Sequence, residues 1–204
     1  MIRIGVLALQ GAVQEHVIAT RRAFDSLGIK GEVTRVKLPR NLEHVDALII
    51  PGGESTVIGR LAERSGLLER IRERATDQNL AIMGTCAGMV LLAKEVDERH
   101  VGEVSQPLLR LMDISVTRNA FGRQKESFET FLEIPVIGPE PFRAVFIRAP
   151  AVKRILSNKV EVLAKLGEVP VAVRQENMLA LSFHPELTDD LRLHKYFIEM
   201  TTGV

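Results

Sequence analysis

Short apolar runs punctuate the first half of the chain, and segments of helical period lie between them. Residues 2–9 read as a buried strand, and Val13, Val17, Phe24 and Leu27 follow at helical spacing up to Gly28, a suitable helix stop. Residues 32–36 and 45–50 form two more strand candidates, the second running into Pro51-Gly52-Gly53. A helical pattern with a charged face covers 55–75, a strand covers 80–83, and a helical stretch at 89–95 follows the turn Gly84-Thr85-Cys86-Ala87-Gly88. This alternation predicts an α/β fold with a mostly parallel sheet and helices on both faces.

The second half changes character. Residues 113–117, 128–136, 144–147, 160–166, 169–174 and 179–183 all carry strand patterns separated by close turn signals, before a last helix at 190–201. Such spacing predicts an antiparallel section in the second half. No linker, repeat or low-complexity segment interrupts the 204 residues, so a single domain over 1–204 is expected. The charge run 94–103 reads as a solvated connection.

Composition narrows the chemistry. Aromatics make up 4% of the chain against 46% hydrophobic residues overall, so the core is expected to be built from Val, Ile, Leu and Ala, as buried parallel strands prefer. A net charge of +1 leaves neither a basic stripe for nucleic acid nor an acidic tail. The run 4–9 is too short for a signal sequence, and no apolar run approaches the ~18 residues of a membrane span. A cytoplasmic protein without membrane contact is expected. Neither of the glycine-rich phosphate or dinucleotide fingerprints is present, so no cofactor is implied. One cysteine rules out an intrachain disulfide or a Cys-rich zinc site, His16, His44, His100 and His194 show no metal spacing, and no metal is expected.

The lone cysteine is therefore either inert core or reactive. A strand, a Gly-x-nucleophile-x-Gly turn and a helix make a nucleophile elbow, in which Cys86 stands where a serine hydrolase has serine. The glycines allow a strained backbone and close approach of neighbouring elements, and the following helix N-terminus favours a thiolate. His184 and Glu186, at the end of a late strand, supply a base and a carboxylate to orient it, because residues two apart in extended chain share a face. Gly52 and Gly53 free backbone N–H groups at a strand-to-helix turn, and with the amide of Ala87 they could cradle an oxyanion. An ordinary turn with Ser55 or Thr56 capping the helix is the plainer reading of that loop. Gln10 and Gly11 end the first strand over the same sheet edge, where they could bias the Gly52-Gly53 peptide. A cysteine hydrolase or peptidase and a non-catalytic domain whose Cys86 senses oxidants both remain compatible with this much.

Gly-x-Cys-x-Gly, the Pro-Gly-Gly loop and the distal His-Pro-Glu together resemble the class I glutamine amidotransferases, whose fold is a flavodoxin-like mixed sheet. GVLALQG from Gly5, PGGEST from Pro51, GTCAG from Gly84, RNAFGRQ from Arg118, FIRAP from Phe146 and SFHPE from Ser182 resemble, within that family, the glutaminase subunits of pyridoxal 5′-phosphate synthases. The resemblance runs essentially end to end. It implies Cys86 as nucleophile, His184 as general base and acid, and Glu186 as the orienting carboxylate. It also implies L-glutamine contacts at Gly52, Gly53, Glu54, Arg118, Ile147 and Arg148. The partner it implies is a separate synthase subunit that receives ammonia and builds pyridoxal 5′-phosphate from sugar phosphates.

Overall fold

The computed structural model describes residues 1–97, 106–121 and 127–203. His100, most of the 94–103 charge run and Gly122 to Gln124 of the RNAFGRQ motif lie outside the described residues. Strands β1 (Ile2–Leu7), β2 (Gly31–Val36), β3 (Ala47–Ile50), β4 (Ala81–Thr85), β10 (Val160–Leu166), β11 (Val169–Gln175) and β12 (Met178–Leu181) form one seven-stranded sheet in the order β10-β11-β12-β4-β3-β1-β2. The five strands from β12 to β2 are parallel to one another, and β11 and β10 extend the sheet antiparallel from β12. The strand order 2-1-3-4 followed by the late β12 is the flavodoxin-like winding, and it places the topological switch between β1 and β3.

Alternation along the strands explains the two covered faces. In β3, Ala47 and Ile49 join one core cluster with Val17 and Phe24 of α1 (Val13–Leu27) and Phe197 of α6 (Arg192–Thr202). Leu48 and Ile50 join the other, with Ile58 of α3 (Ser55–Arg64), Ile71 of α4 (Leu67–Asp77) and Val90 of α5 (Ala87–Leu92). Full burial of each such side chain contributes roughly 1.5–3 kcal/mol, which fixes the register of the sheet between its two helical layers. A short helix, α2 (Pro39–Leu42), links β2 to β3. Among the described residues no helix is long and apolar enough to cross a membrane.

Several sequence expectations change in detail. The helix read over 55–75 is two helices, because Gly66 adopts φ 75°, a left-handed conformation that ends α3 and restarts the chain as α4. The stretch read as a helix over 89–95 gives way at Ala93 to β5 (Ala93–Asp97), which pairs with β6 (Met112–Thr117) and through it with β9 (Ala151–Ile155) in a separate three-stranded sheet. The run 128–136 ends as a strand at Leu132: β7 (Ser127–Leu132) pairs with β8 (Phe142–Ile147), and Pro135 opens a short 3-10 turn. The few aromatics are concentrated rather than absent from the core. Phe142, Phe146 and Phe183 are fully buried, Phe128 stacks on Phe146 at 4.7 Å, and Phe146 lies 5.5 Å from Phe183. The group backs the loop that carries His184.

Candidate active site

Four of the segments singled out by sequence stand at the carboxyl ends of parallel strands of the main sheet: Gln10 and Gly11 beyond β1, Gly52 to Glu54 beyond β3, Cys86 beyond β4 and His184 beyond β12; Arg118 follows β6 and Ile147 ends β8, in the smaller sheets. This edge of an open α/β sheet is where ligand sites form. Around it lies a cavity of about 250 Å³ lined by Gln10, Gly53, Glu54, Cys86, Ala87, Arg118, Ile147, Arg148 and His184, among others.

Cys86 carries the strain of the elbow itself. Its backbone sits at φ 47° and ψ −101°, which typically costs about 1–3 kcal/mol for a residue with a side chain. The turn is held by the Cys86 N–H, which donates to the Leu181 carbonyl at 2.8 Å and so ties the end of β4 to β12. The flanking glycines serve packing rather than strain. A Cβ on Gly88 would stand 2.4 Å from the Ile50 carbonyl oxygen, and one on Gly84 would stand 2.6 Å from the backbone of Gly88. Helix α5 therefore lies directly on the strand ends, and the amide of Ala87, its first residue, has no carbonyl one turn back to serve.

His184 is placed by its own N–H, which donates to the Val145 carbonyl at 2.9 Å, and its Nδ1 lies 2.7 Å from Glu186 Oε1. The pair meets across a 3-10 turn, Pro185–Leu187, and not along extended chain as the sequence reading supposed. Cys86, His184 and Glu186 are all buried. Burial alone would lower the pKa of His184, but hydrogen bonds to Cys86 and Glu186 and their negative charge outweigh it and raise it to about 10. The imidazole is thus held in its protonated form through the neutral range. Burial likewise works to raise the pKa of Glu186, yet the neighbouring His16 and His184 leave it below the usual carboxylate range.

The loop after β3 fits closely around this pair. A Cβ on Gly52 would stand 2.3 Å from Cε1 of the His184 ring and 3.3 Å from Cβ of Cys86, so only glycine leaves the ring its place. The Gly52 carbonyl accepts a hydrogen bond from Ala12 N–H at 3.0 Å, and Gln10 Oε1 accepts one from Glu54 N–H at 2.8 Å. A Cβ on Gly11, whose φ is 102°, would stand 1.9 Å from the Gly52 oxygen. The two loops are therefore in direct contact. Helix α3 is capped by Glu54, which accepts from Thr56 N–H at 3.3 Å; Ser55 and Thr56, the candidates from sequence, lie inside the helix.

Arg118 crosses the cavity wall, donating to Glu54 Oε1 at 2.7 Å and to Thr56 Oγ1 at 3.3 Å. Ile147 and Arg148 also line the cavity, and the Cys86 thiol points toward the Ile147 carbonyl at a long 3.8 Å. Every residue assigned to the site by sequence is thus brought to one cavity or to the loops against it. Sequence reasoning missed His16 and His194, which it set aside for lack of metal spacing. Both are fully buried, and His16 Nε2 lies 3.3 Å from Glu186 Oε2.

Residues 6–203 match the SNO glutamine amidotransferase family. The chain is 48% identical over 202 residues to the pyridoxal 5′-phosphate synthase subunit PdxT of Saccharolobus solfataricus, covering 99% of this chain and 100% of that one. It is 52% identical over 201 residues to the protein of the same name from Staphylothermus marinus, covering 97% and 98% of the two chains. A solved structure described as a glutamine amidotransferase superposes with a TM-score of 0.85 at 51% identity, covering 98% of this chain and 99% of that one.

Proposed function

The chain belongs to the SNO glutamine amidotransferase family, and from that premise we propose that residues 1–204 act as one glutaminase domain, the ammonia-supplying subunit of a pyridoxal 5′-phosphate synthase. The observation that carries this reading is the group Cys86, His184, Glu186, the first two lining a cavity of about 250 Å³ that Gly53, Ala87 and Arg118 also line. The Cys86 thiolate attacks the side-chain amide carbon of L-glutamine. The amides of Gly53 and Ala87 receive the oxyanion, and the His184 imidazolium gives its proton to the departing nitrogen, releasing ammonia. His184, now neutral, takes a proton from water, which attacks the γ-glutamyl thioester and frees glutamate and the thiolate. Glu186 holds the imidazole in the tautomer that presents Nε2 to sulfur and water.

The contact between the two loops supports gating by a partner. The Gly52-Gly53 peptide has its carbonyl fixed by Ala12, and because a peptide is planar the Gly53 N–H points away from that loop. A synthase subunit docking over Gln10 and Gly11 would shift this hydrogen bond and with it the direction of the oxyanion donor. Loss or gain of one such donor changes turnover by about 10²–10³-fold. Ammonia release from glutamine, measured with and without a synthase subunit, is expected to be slow for the free chain and to rise with partner. Absence of glutamine turnover in both conditions would overturn the function, and a free chain already at full speed would remove the gating.

Arg118 is the group best suited to the glutamine α-carboxylate, and Glu54 beside it suits the α-ammonium. Arg118→Met should raise KM for glutamine by roughly ten- to a hundredfold, the worth of one charge-assisted hydrogen bond, with a smaller effect on kcat. An unchanged KM would place the α-carboxylate elsewhere.

A further inference from the structure

Two buried histidines take no part in the steps above, yet they converge on the carboxylate behind His184. Glu186 gives Oε1 to His184, and its other oxygen, Oε2, has His16 Nε2 at 3.3 Å and no hydrogen bond of good geometry. His16 Nε2 also lies 3.0 Å from Thr85 Oγ1, and His16 Nδ1 lies 3.1 Å from His194 Nε2. His194 Nδ1 is buried without a partner.

These contacts select one set of tautomers. If His16 carried its proton on Nδ1 and gave it to His194, then His194 would carry its own on Nδ1, leaving a buried N–H with no acceptor. Glu186 Oε2 would at the same time face the lone pair of His16 Nε2. With His194 Nε2–H donating to His16 Nδ1, the proton of His16 sits on Nε2, where it bonds Thr85 Oγ1 and faces Glu186 Oε2 at 3.3 Å. The unpartnered atom is then only a bare acceptor on His194, and an orphaned buried acceptor is tolerated better than an orphaned donor. Resting on the glutaminase reading, we propose that His16 is a positioning residue for the reaction: its Nε2–H, seated against Thr85, presents a positive edge to Oε2 of Glu186 so that Oε1 stays on His184, and His194 fixes the tautomer that gives His16 that N–H.

The surroundings keep this donor neutral. Burial depresses the pKa of His16 in spite of the Glu186 charge, and burial together with His16 holds that of His194 down to about 3. The groups facing His16 are Glu186, His194 and Thr85, with Glu15 next to it on α1 and His184 beyond the carboxylate. A neutral donor anchors Glu186 without competing for the negative charge that His184 needs. Deprived of it, a buried carboxylate with one bare oxygen turns toward another donor, and the imidazole loses its fixed orientation.

Cys86 is the only cysteine, so alkylation by iodoacetamide reads this site alone and needs no glutamine. His16→Met fills the space without a donor, whereas His16→Gln places an amide N–H near the position of Nε2. The expected result for His16→Met is a kcat lower by about ten- to a hundredfold with KM within about twofold, the pattern of lost orientation and not of lost binding. The pH at which Cys86 becomes reactive to iodoacetamide should also move upward. His16→Gln should restore both to within about threefold of wild type. A folded His16→Met with wild-type kcat and alkylation profile would overturn the proposal, as would a folded His16→Gln as impaired as His16→Met. Should His16→Met not fold, His194→Met frees the tautomer of His16 while leaving it in place, and the same upward shift in the alkylation profile is expected; an unchanged profile would then reject the idea. A wild-type chain without glutamine turnover even with a synthase subunit present would reject the glutaminase reading, and the alkylation profiles would still decide the role of His16.

Discussion

Cys86→Ala should abolish glutamine hydrolysis, by on the order of 10⁵-fold or more, while leaving the fold in place. The magnitude follows from removing the only group able to form the covalent intermediate, since deleting the nucleophile of a catalytic unit typically costs about as much as deleting the whole unit. Retention of the fold follows from what the thiol does not do. The turn is held by the backbone N–H of Cys86 to Leu181 and by the packing of Gly84 and Gly88 against the strand ends, none of which alanine disturbs. The sulfur meets the His184 imidazole and, at a long 3.8 Å, the Ile147 carbonyl, and neither contact holds the turn. Steady-state ammonia release in the presence of partner, with circular dichroism and thermal melting alongside, provides the measurement. Near wild-type turnover by a folded Cys86→Ala protein would remove the nucleophile assignment.

What could be read in the sequence was whatever the chain writes locally. The elbow, the Pro-Gly-Gly loop and His-Pro-Glu are short motifs at the ends of apolar runs, and parallel pairing brings strand ends together without further information, so these residues meet where the pattern places them. The alternation of Ala47, Leu48, Ile49 and Ile50 between two helical layers is legible for the same reason. The rest depends on contacts between distant segments. His16 and His194 are 178 residues apart and belong to helices whose apolar periodicity only marks them as facing inward. Nothing in either neighbourhood indicates that α1 and α6 pack side by side behind Glu186. The break at Gly66 is not legible because a glycine inside a helical pattern is compatible with both continuation and a stop. The strands of the small sheet, β5 and β9, carry half-exposed patterns too weak to separate from helix or loop.

His184→Asn should be far more damaging than Glu186→Gln, and the double variant should be no worse than His184→Asn alone. The imidazole must give a proton to the departing ammonia and take one from water, and asparagine can do neither; a loss of about 10⁵–10⁶ in kcat is expected. Glu186 moves no proton. In Glu186→Gln the amide oxygen can still accept from His184 Nδ1, so the tautomer survives, but the charge that helps keep the imidazole protonated is gone. The other end of the same amide then presents an NH₂ to His16 Nε2–H, donor against donor, at a site where the carboxylate oxygen now lies 3.3 Å away. Relief requires His16 to change tautomer or the amide to turn, and either weakens the anchor of His184. The expected loss is therefore roughly ten- to a hundredfold smaller than for His184→Asn. Once the imidazole is absent there is nothing left for the carboxylate to orient, which is why the effects should not multiply. Rates of glutamate production by the two single variants and the double variant, each saturated with partner, test this directly. Multiplicative losses in the double variant would mean that His184 and Glu186 act independently and would dissolve the triad.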